Sequence, residues 1–506
     1  MANLASLNYS GVLAEKKGTT STSVQGDTMF PAAHQVFSTE YTFQNSIAVD
    51  PNNANKFVAA YRDITNDKGC VRIGTVQSNN TIVWGAESIF NDAQTNRISV
   101  AWDYNSSTSY IVVAYADFGN SQMGSARIGT VSGTTISGWG TERVISNTSP
   151  NHQTGWTYVA FDPNTPGKFA LAEDQHLSVC THDGTAITQG TIVECESSNN
   201  TGGPVIWDPN DATKFITVYK DNSGELHGRV CQVSGTTITL QSVQTIESSN
   251  DCTEIGLDAS PHTANQFTTS YKLSSGKGRV RIMNVAGSAG SWTLIQSPYY
   301  EFSTTAVEAT NVSYTTAPNK FIVTYRDSNN NNYGTAREGT ISSGTTGNPP
   351  YYTLTGWDPV VVFNSGDTRM GVARHTALDK TTNKFVIAYD TAGTDGVVKV
   401  GIAQYNKITI DLSTGNYFEV DLQAANDIID TFTITESLAS GTTQSFYLKV
   451  IQGSTARQFS WSSFSHIKWV GSGPTITATN NAVDILSFTT FDEGTTWYGK
   501  VEGQNF

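Results

Sequence analysis

Short segments in which apolar and polar residues alternate recur along most of this chain. Lys56–Asp63 (KFVAAYRD) and Val71–Val76 (VRIGTV) show the pattern, and both are rich in β-branched and aromatic residues. A period close to two over six to eight residues predicts β-strands and excludes helical repeats. The same order of strands, with a short gap between the first two and a third strand after them, recurs seven times.

The register of the repeat is set by two positions in the strand that Lys56–Asp63 represents. The strand opens on an aromatic or apolar residue at Phe57, Ile111, Phe169, Phe215, Phe267, Phe321 and Phe385. Four residues later come Tyr61, Tyr115, Glu173, Tyr219, Tyr271, Tyr325 and Tyr389. From 57 to 385 is 328 residues in six intervals, a mean of about 55, which lies near the upper end of the periods typical of β-propeller blades. The pattern therefore predicts an all-β fold with a seven-bladed β-propeller.

The first unit serves as the template for a blade of four strands. We predict an innermost strand at 46–50, then strands at 57–62 and 70–76, and an outer strand at 81–90. Asp-Pro pairs at Asp50, Asp162 and Asp208 mark the turn after the innermost strand, since both residues favour turns. The seventh unit lacks an outer strand, and we predict that residues 30–43 complete that blade and close the ring.

The two ends of the chain lack the repeat. Residues 1–27 form a polar arm with little pattern, which is typical of a segment that has no core of its own. The propeller is predicted for residues 28–405, and residues 406–506 are predicted to form a C-terminal β-sandwich. The strands predicted there are 417–422, 431–435, 444–451, 466–470, 482–489 and 496–502.

Composition narrows the classes of partner. The net charge is −14, from 30 basic and 44 acidic residues, and the basic residues form no stripe along the sequence. Both observations argue against binding to nucleic acid, which depends on clustered Lys and Arg. No run approaches the length of a membrane helix and residues 1–20 do not resemble a signal peptide, so we expect no membrane insertion and no conventional secretion. The five cysteines lack metal-binding spacing. We interpret them as free structural thiols, although a bridge between Cys180 and Cys195 is possible. No cofactor is predicted.

An acidic residue that ends the second strand and a basic residue in the third strand recur together in five units. In a hairpin these two could face each other across the strand pair. Five copies of one pair favour a scaffold role, because an active site is normally single. The pairs are Asp63 with Arg72, Asp117 with Arg127, Asp221 with Arg229, Asp327 with Arg337, and Asp390 with Lys399.

The third unit departs from this template, and its departure supplies the candidate site. Glu173 and Asp174 stand where other units have tyrosine and a charge, and Ser178 replaces the basic residue. A buried carboxyl group there could act as an acid, whereas simple drift of one repeat is the structural alternative. Glycosidases need two suitably spaced carboxylates, and a sialidase-like site would also need an arginine cluster. The predicted innermost strands carry no such cluster.

Two further motifs favour turns. Thr490–Trp497 resembles the Asp-box of sialidases. In that family the Asp-box is a hairpin turn and has no catalytic role. Asp327–Asn331 has oxygen-bearing side chains at alternate positions, as calcium loops do, but it lacks the distal glutamate of an EF-hand. A hairpin loop is the alternative interpretation there.

The C-terminal part carries five motifs in order, namely Ile467–Val470, Gly473–Thr477, Val483–Phe488, Asp492–Thr496 and Trp497–Gly499. Together they resemble a module at the C-termini of bacteriophage tail-fibre and other virion surface proteins. The repeat also resembles regions of phage structural proteins. This resemblance implies a virion component, made in the host cytoplasm and released by lysis.

We therefore predict a structural, surface-displayed tail-fibre or spike-like protein without enzymatic activity, involved in host attachment or virion assembly. Its expected partners are other virion proteins, a glycan or protein of the host surface, and further copies of itself in a homo-oligomer. The alternatives are a carbohydrate-binding or glycoside-cleaving propeller, either a lectin or a sialidase-like enzyme, and a head-decoration protein.

Overall fold

A computed structural model provides the structure of the chain. It describes residues 20–24, 29–105, 107–145, 156–195, 202–248, 251–317, 319–342, 352–371, 373–391, 395–403, 406–422, 429–435, 443–453, 459, 461, 466–469, 471 and 473–506. These residues form two compact units, one at 29–403 and the other combining described parts of 1–28 and 404–506. Most of the predicted N-terminal arm, residues 1–19 and 25–27, lies outside the described residues.

The described chain is all-β apart from the short 3-10 helix Phe118–Asn120. Its first strands are β1 (Thr20–Val24), β2 (Gln35–Ser38), β3 (Thr42–Val49), β4 (Lys56–Asp63), β5 (Lys68–Val76), β6 (Ile82–Trp84), β7 (Ser88–Asn91), β8 (Thr95–Trp102), β9 (Ser109–Asp117), β10 (Met123–Ser132), β11 (Thr135–Trp139), β12 (Arg143–Val144), β13 (Thr157–Phe161) and β14 (Lys168–Glu173). Next come β15 (His176–His182), β16 (Ile187–Gln189), β17 (Val193–Glu194), β18 (Val205–Asp208), β19 (Asp211–Lys220), β20 (Leu226–Ser234), β21 (Thr237–Leu240), β22 (Gln244–Glu247), β23 (Thr253–Ala259), β24 (Gln266–Lys272), β25 (Gly278–Ala286), β26 (Thr293–Gln296), β27 (Tyr300–Ser303) and β28 (Val307–Tyr314). The last are β29 (Lys320–Asp327), β30 (Tyr333–Ile341), β31 (Leu354–Trp357), β32 (Val361–Arg369), β33 (Thr376–Asp379), β34 (Lys384–Thr391), β35 (Asp395–Ile402), β36 (Asn406–Asp411), β37 (Tyr417–Asp421), β38 (Ile429–Thr435), β39 (Gln444–Ile451), β40 (Ile467–Trp469), β41 (Val483–Thr490) and β42 (Trp497–Gly503).

The larger unit consists of antiparallel sheets built in chain order. Five of them have five strands each, namely β3–β7, β8–β12, β13–β17, β18–β22 and β23–β27. A nine-stranded sheet contains β28–β35 and β2, in which β32 pairs with both β30 and β34. The first strands β3, β8, β13, β18, β23, β28 and β33 contact one another in this order, and β33 contacts β3. This is a propeller-like arrangement of sheets.

The repeated apolar positions form the core of these sheets. The seven residues that open the second strand of each unit, from Phe57 to Phe385, are fully buried, and the six tyrosines four residues later are at most 2% exposed. At the seam, β2 pairs antiparallel with β35, and Phe37 of β2 packs against Tyr61 with ring centroids 4.8 Å apart. The N-terminal segment thus supplies a strand to the last sheet.

The outer strand predicted at 81–90 is divided in two. β6 and β7 both pair with β5, and the chain leaves the sheet between them at Gly85. Gly85 donates its N–H to Ile73 and its carbonyl accepts two bonds from Arg72. The interruption recurs in the next four sheets, where β12, β17, β22 and β27 correspond to β7.

The turns after the first strands are held by side-chain oxygens. In each unit, the side-chain oxygen of the last residue before the turn accepts the main-chain N–H of the residue two positions later. The acceptor is a carboxylate in Asp50, Asp103, Asp162, Asp208 and Asp379, and a hydroxyl in Ser260 and Thr315. These residue types favour such turns because their oxygens reach the backbone ahead of them. The turn therefore recurs in all seven units, although proline follows the capping residue in only some of them.

The smaller unit has two sheets that share one hydrophobic core. β1, β36 and β38 form one sheet, and β37, β39, β41, β42 and β40 form the other. Ile410 of the first sheet belongs to the same cluster as Phe446, Phe488 and Trp497 of the second. Residues 20–24, predicted as part of a patternless arm, therefore form a strand that pairs with β36. No helix among the described residues is long and apolar enough to cross a membrane.

Candidate functional site

The first strands of the larger unit enclose a cavity of about 200 Å³. Its lining is mainly apolar and aromatic, and it includes Trp102, Phe161, Trp207 and Leu378. The Asp-capped turns stand at this end of the strands, since Asp50 and Asp379 also line the cavity. An apolar cavity with a few polar groups is the usual form of a small-ligand site.

One ion pair crosses the interior of this ring. The guanidinium Nη2 of Arg374, just before β33, lies 2.9 Å from Oδ1 of Asp258 on β23. Asp258 also accepts the N–H of Tyr314 at 2.8 Å, and the carbonyl of Arg374 accepts the N–H of Ile47 at 2.8 Å. Arg374 lines both the main cavity and a smaller one of about 40 Å³. With its side chain 36% exposed, Arg374 presents positive charge to any ligand that enters.

At the other end of the ring, four of the first strands, β3, β8, β23 and β28, begin with a β-bulge. Gln44, Arg97, Glu254 and Ala309 occupy equivalent positions and have φ between 49° and 57°. Non-glycine residues adopt this left-handed conformation rarely. The pairing register with the neighbouring strand shifts at each of these residues. The N–H of Arg97 donates a hydrogen bond to the side chain of Gln44. The bulge places one such residue at this end of the ring, here called the mouth of the channel, in each unit that has it.

The candidate residues Glu173 and Asp174 lie near this mouth, beside Arg97. Burial lowers the pKa of the Arg97 guanidinium, while the negative charges of Asp174 and Glu173 raise it. Asp174 is only 5% exposed and has a φ of 49°. The carboxylate of Glu173 lies against Gly124 of β10, where a side chain would collide with it. The structure thus brings the two carboxyl groups and one guanidinium together at a boundary between sheets.

A second acidic group at the mouth was not expected from the sequence. Burial raises the pKa of Glu254, the nearby charge of Glu308 adds to the rise, and Lys272 opposes it. Glu308 is itself bound by Arg326. The charge of Glu254 also acts on Tyr158, whose pKa is raised mainly by burial. Glu254 and Arg97 occupy the same bulge position, a feature that the spacing of apolar residues does not reveal.

The predicted acid–base pairs do not face each other, which corrects the sequence interpretation. Asp63 is opposite Lys68, whereas Arg72 is opposite Ala59. The short turn leaves the two members of a pair four positions apart along the hairpin, roughly 13 Å at strand spacing. The same offset holds for Asp117 with Arg127 and for Asp327 with Arg337; Arg229 is opposite Thr217 while Asp221 lies beyond β19, and Asp390 and Lys399 are opposite Gly396 and Ile387.

The acidic members of these pairs bind local groups instead. Three of them accept a hydrogen bond from a side chain: Asp63 from Asn66, Asp117 from Asn91, and Asp390 from both Thr42 and Asn45. The other two accept a hydrogen bond from a main-chain N–H: Asp221 from Ser223 and Asp327 from Asn329. Their shared role is to hold the turn or the neighbouring strand.

The arginines connect adjacent sheets through main-chain carbonyls. Arg127 donates Nε to Gly140 at 3.1 Å and Nη1 to Phe90 of the preceding sheet at 2.7 Å. Equivalent bonds to the preceding sheet are donated by Arg72 to Phe37, by Arg229 to Cys195 and by Arg337 to Phe302. In the third unit, where Ser178 replaces arginine, Gln189 donates to the carbonyl of Ile145 at 3.1 Å and to Ser178 at 3.0 Å. The loss of arginine there is compensated by a second side chain.

Replacing Arg127 with methionine should lower the free energy of unfolding by about 1–3 kcal/mol, because two partly buried main-chain carbonyls lose a charged donor. Asp117→Asn, which keeps an acceptor oxygen, serves as the matched variant. A double-mutant cycle on chemical denaturation should give a coupling energy near zero for Asp117 and Arg127. Coupling above about 1 kcal/mol would restore the pair that the sequence predicted.

The remaining motifs form turns or core. Thr490–Trp497 makes the β41–β42 turn, in which Asp492 accepts the N–H of Thr496 at 2.8 Å. Asp327 accepts the N–H of Asn329 in a hairpin turn. All five cysteines are buried and free. Burial raises the pKa of Cys180 to about 12, which makes it an inert thiol.

Comparison with known proteins supports the fold. No family model matches the sequence, and no curated protein is significantly similar to it. The structure is similar to the BP39L lectin from Burkholderia pseudomallei, with 13% identity over 72% of this chain and 97% of the lectin, at a TM-score of 0.51. The β-propeller domain of Myceliophteria thermophila Cps50 (Swd1) aligns with 9% identity over 73% of this chain and all of that domain, at a TM-score of 0.46. Sqt1 from Chaetomium thermophilum aligns with 13% identity over 73% of this chain and 98% of its own, at a TM-score of 0.43.

Proposed function

We propose that this chain is a structural, surface-displayed protein of a bacteriophage virion, a tail-fibre or spike-like component. The resemblance of residues 467–499 to a virion module supports the location. The observation that carries a scaffold role is that the charges repeated from unit to unit bind main-chain carbonyls and turns, as Arg127 and Asp63 do. Such charges stabilise a frame for binding and are not free for catalysis.

The proposed architecture is a seven-bladed propeller followed by a β-sandwich. Seven first strands in mutual contact support the blade number. The shared core of Ile410, Phe446 and Trp497 supports a sandwich. Trp497 is buried in that core, so the exposed aromatic residues Phe491 and Tyr498, 69% and 52% exposed, are better candidates for contacts between copies in a homo-oligomer.

Locating the chain on the particle tests the proposal. Antibodies against residues 29–403 should label purified phage particles at the tail in electron micrographs. Labelling over the head would favour the head-decoration alternative, and absence of the chain from particles freed of lysate proteins would reject a virion role.

Glycan binding is a second candidate, and a surface between β22 and β27 favours it. Tyr299 is 45% exposed and the guanidinium carbon of Arg279 lies 3.6 Å from its ring centroid. Arg279 binds Glu247 at 3.1 Å and Glu301 at 3.2 Å. An aromatic ring beside fixed donors and acceptors can pack against a sugar face and bind its hydroxyls.

If this surface binds glycans, the chain should retain one class of sugar on a glycan array, and Tyr299→Ala should reduce retention at least tenfold. Tyr498→Ala in the other unit is the matched control and should have no effect. Equal retention by the Tyr299 variant would remove this surface from consideration. Release of free sugar that disappears in Glu173→Gln would instead support a glycoside-cleaving enzyme.

A further inference from the structure

The hairpin between β19 and β20 gathers three metal-ligand side chains. Among the described residues, a carboxylate oxygen of Asp221, a carboxylate oxygen of Glu225 and a ring nitrogen of His227 lie within 4.8 Å of one another. Asp221 and Glu225 are partly buried and His227 is 7% exposed. From the sequence, Asp221 stands out only as a member of a repeated pair.

The separation of the donors suits a small cation. Nε2 of His227 lies 3.3 Å from Oε2 of Glu225. In a tetrahedral zinc site, with bonds of about 2.0–2.2 Å, neighbouring donors lie roughly 3.4 Å apart. These two side chains are therefore already at ligand spacing, and a carboxylate oxygen of Asp221 lies within 4.8 Å of both. In the turn, Asp221 also accepts the N–H groups of Ser223 and Glu225.

The backbone explains how the three side chains meet. Asp221 donates its N–H to Glu225 at 3.0 Å, and Gly224 adopts a φ of 88° in the turn. Glu225 directly precedes β20 and His227 is its second residue, and in extended backbone residues two positions apart have their side chains on the same face. The ring of Tyr219 meets that of His227 edge-on with centroids 5.9 Å apart, which limits the orientation of the imidazole.

The corresponding hairpin of the next sheet shows that this turn does not require the three ligands. There Leu273 donates to Lys277 at 2.9 Å, and Gly276 again has a φ of 88°. Leu273, Lys277 and Arg279 replace the two acids and the histidine. The same main-chain turn therefore forms with an apolar residue and two cations, and the ligand set is an addition to the fold.

We propose that Asp221, Glu225 and His227 bind one divalent transition-metal ion, for which zinc is the probe. Carboxylate and imidazole are established zinc ligands. Three protein ligands leave a fourth position for water or for an acceptor group of a bound partner. This site is independent of the proposed virion role, because it rests only on the hairpin.

Isothermal titration of the full chain with zinc chloride at pH 7.5, under reducing conditions, tests the site. We expect one ion per chain, and at least tenfold weaker binding for Glu225→Gln and for His227→Gln. Asp221→Asn should also weaken binding, while its amide oxygen can still accept the turn N–H groups.

His176→Gln is the matched control, since His176 lies 3.9 Å from Glu194 in a pair that the three-ligand group does not include. It should bind zinc like the unaltered chain. Circular dichroism melting curves identify any variant that fails to fold, and Glu225→Gln, at a partly exposed position, is the variant least exposed to that problem. Absence of zinc binding, or zinc binding by the folded Glu225 and His227 variants equal to that of the unaltered chain, would overturn the proposal. The contact between Glu225 and His227 would then be only a hydrogen bond.

Discussion

Replacing Phe37 with alanine is expected to lower the free energy of unfolding of the 29–403 unit by about 3–5 kcal/mol. Phe37 is fully buried on β2, the strand that the N-terminal segment adds to β35, and it packs between Tyr61 and Trp84. Its loss leaves a cavity at the seam where the two ends of this unit meet. Denaturant titration followed by tryptophan fluorescence measures the change.

Two comparisons make the test specific for the seam. Val36→Ala alters the neighbouring residue of the same strand, which is 40% exposed, and should cost less than about 1 kcal/mol. Phe90→Ala removes the equivalent ring from β7 and should cost as much as Phe37→Ala. Deleting residues 1–38 should destabilise the unit at least as strongly as Phe37→Ala, whereas unchanged stability of that truncation would show that β2 does not hold the ring closed.

Replacing Asp390 with asparagine is expected to stabilise the protein above pH 7. Burial raises the pKa of Asp390 to about 7, although Thr42 and Asn45 donate hydrogen bonds to it and oppose the rise. The folded chain therefore holds the proton more tightly than the unfolded chain, whose aspartate has an ordinary pKa near 4. The contribution to stability is full below pH 4 and is lost as the pH rises to 7, on the order of 4 kcal/mol.

Thermal unfolding at pH 5 and pH 8 measures this effect. The gain from Asp390→Asn, relative to the unaltered chain, should be larger at pH 8 than at pH 5. Thr42→Val removes one bond to the carboxylate, so the pKa of Asp390 should rise further and the loss of stability should continue to a higher pH. A difference between Asp390→Asn and the unaltered chain that is the same at both pH values would contradict the prediction.

The all-β class and the propeller-like arrangement were predictable because alternating strands and buried repeat positions, such as Phe57 and Tyr61, are local signals. Both predictions are confirmed by the strands and by the order in which the sheets contact one another. The interruption at Gly85 was missed, because two strand segments in line give the same alternation as one. Blade number, sandwich topology and virion role stay predictions.

The mouth of the channel was harder to predict. Arg97 and Glu254 reach it through a bulge in which residues other than glycine have positive φ, and no spacing rule marks such a position. Glu173 and Asp174 could be singled out as candidates from the sequence because they break a repeat, and their role stays a prediction. The acid–base pairs were wrong because alternation gives the face of a residue, whereas the length of the turn decides which residue lies opposite.

The arginine bonds between sheets have a consequence for how such a chain can change in length. A unit like residues 95–145 carries Arg127, which donates to the unit before it, and Ile145, whose carbonyl accepts from the unit after it. Such a unit therefore carries its own hydrogen bonds to both neighbouring units. Gene duplication could add such a unit with its connections already in place, and one unit could lose its arginine, as the third has at Ser178, once Gln189 took over the bond.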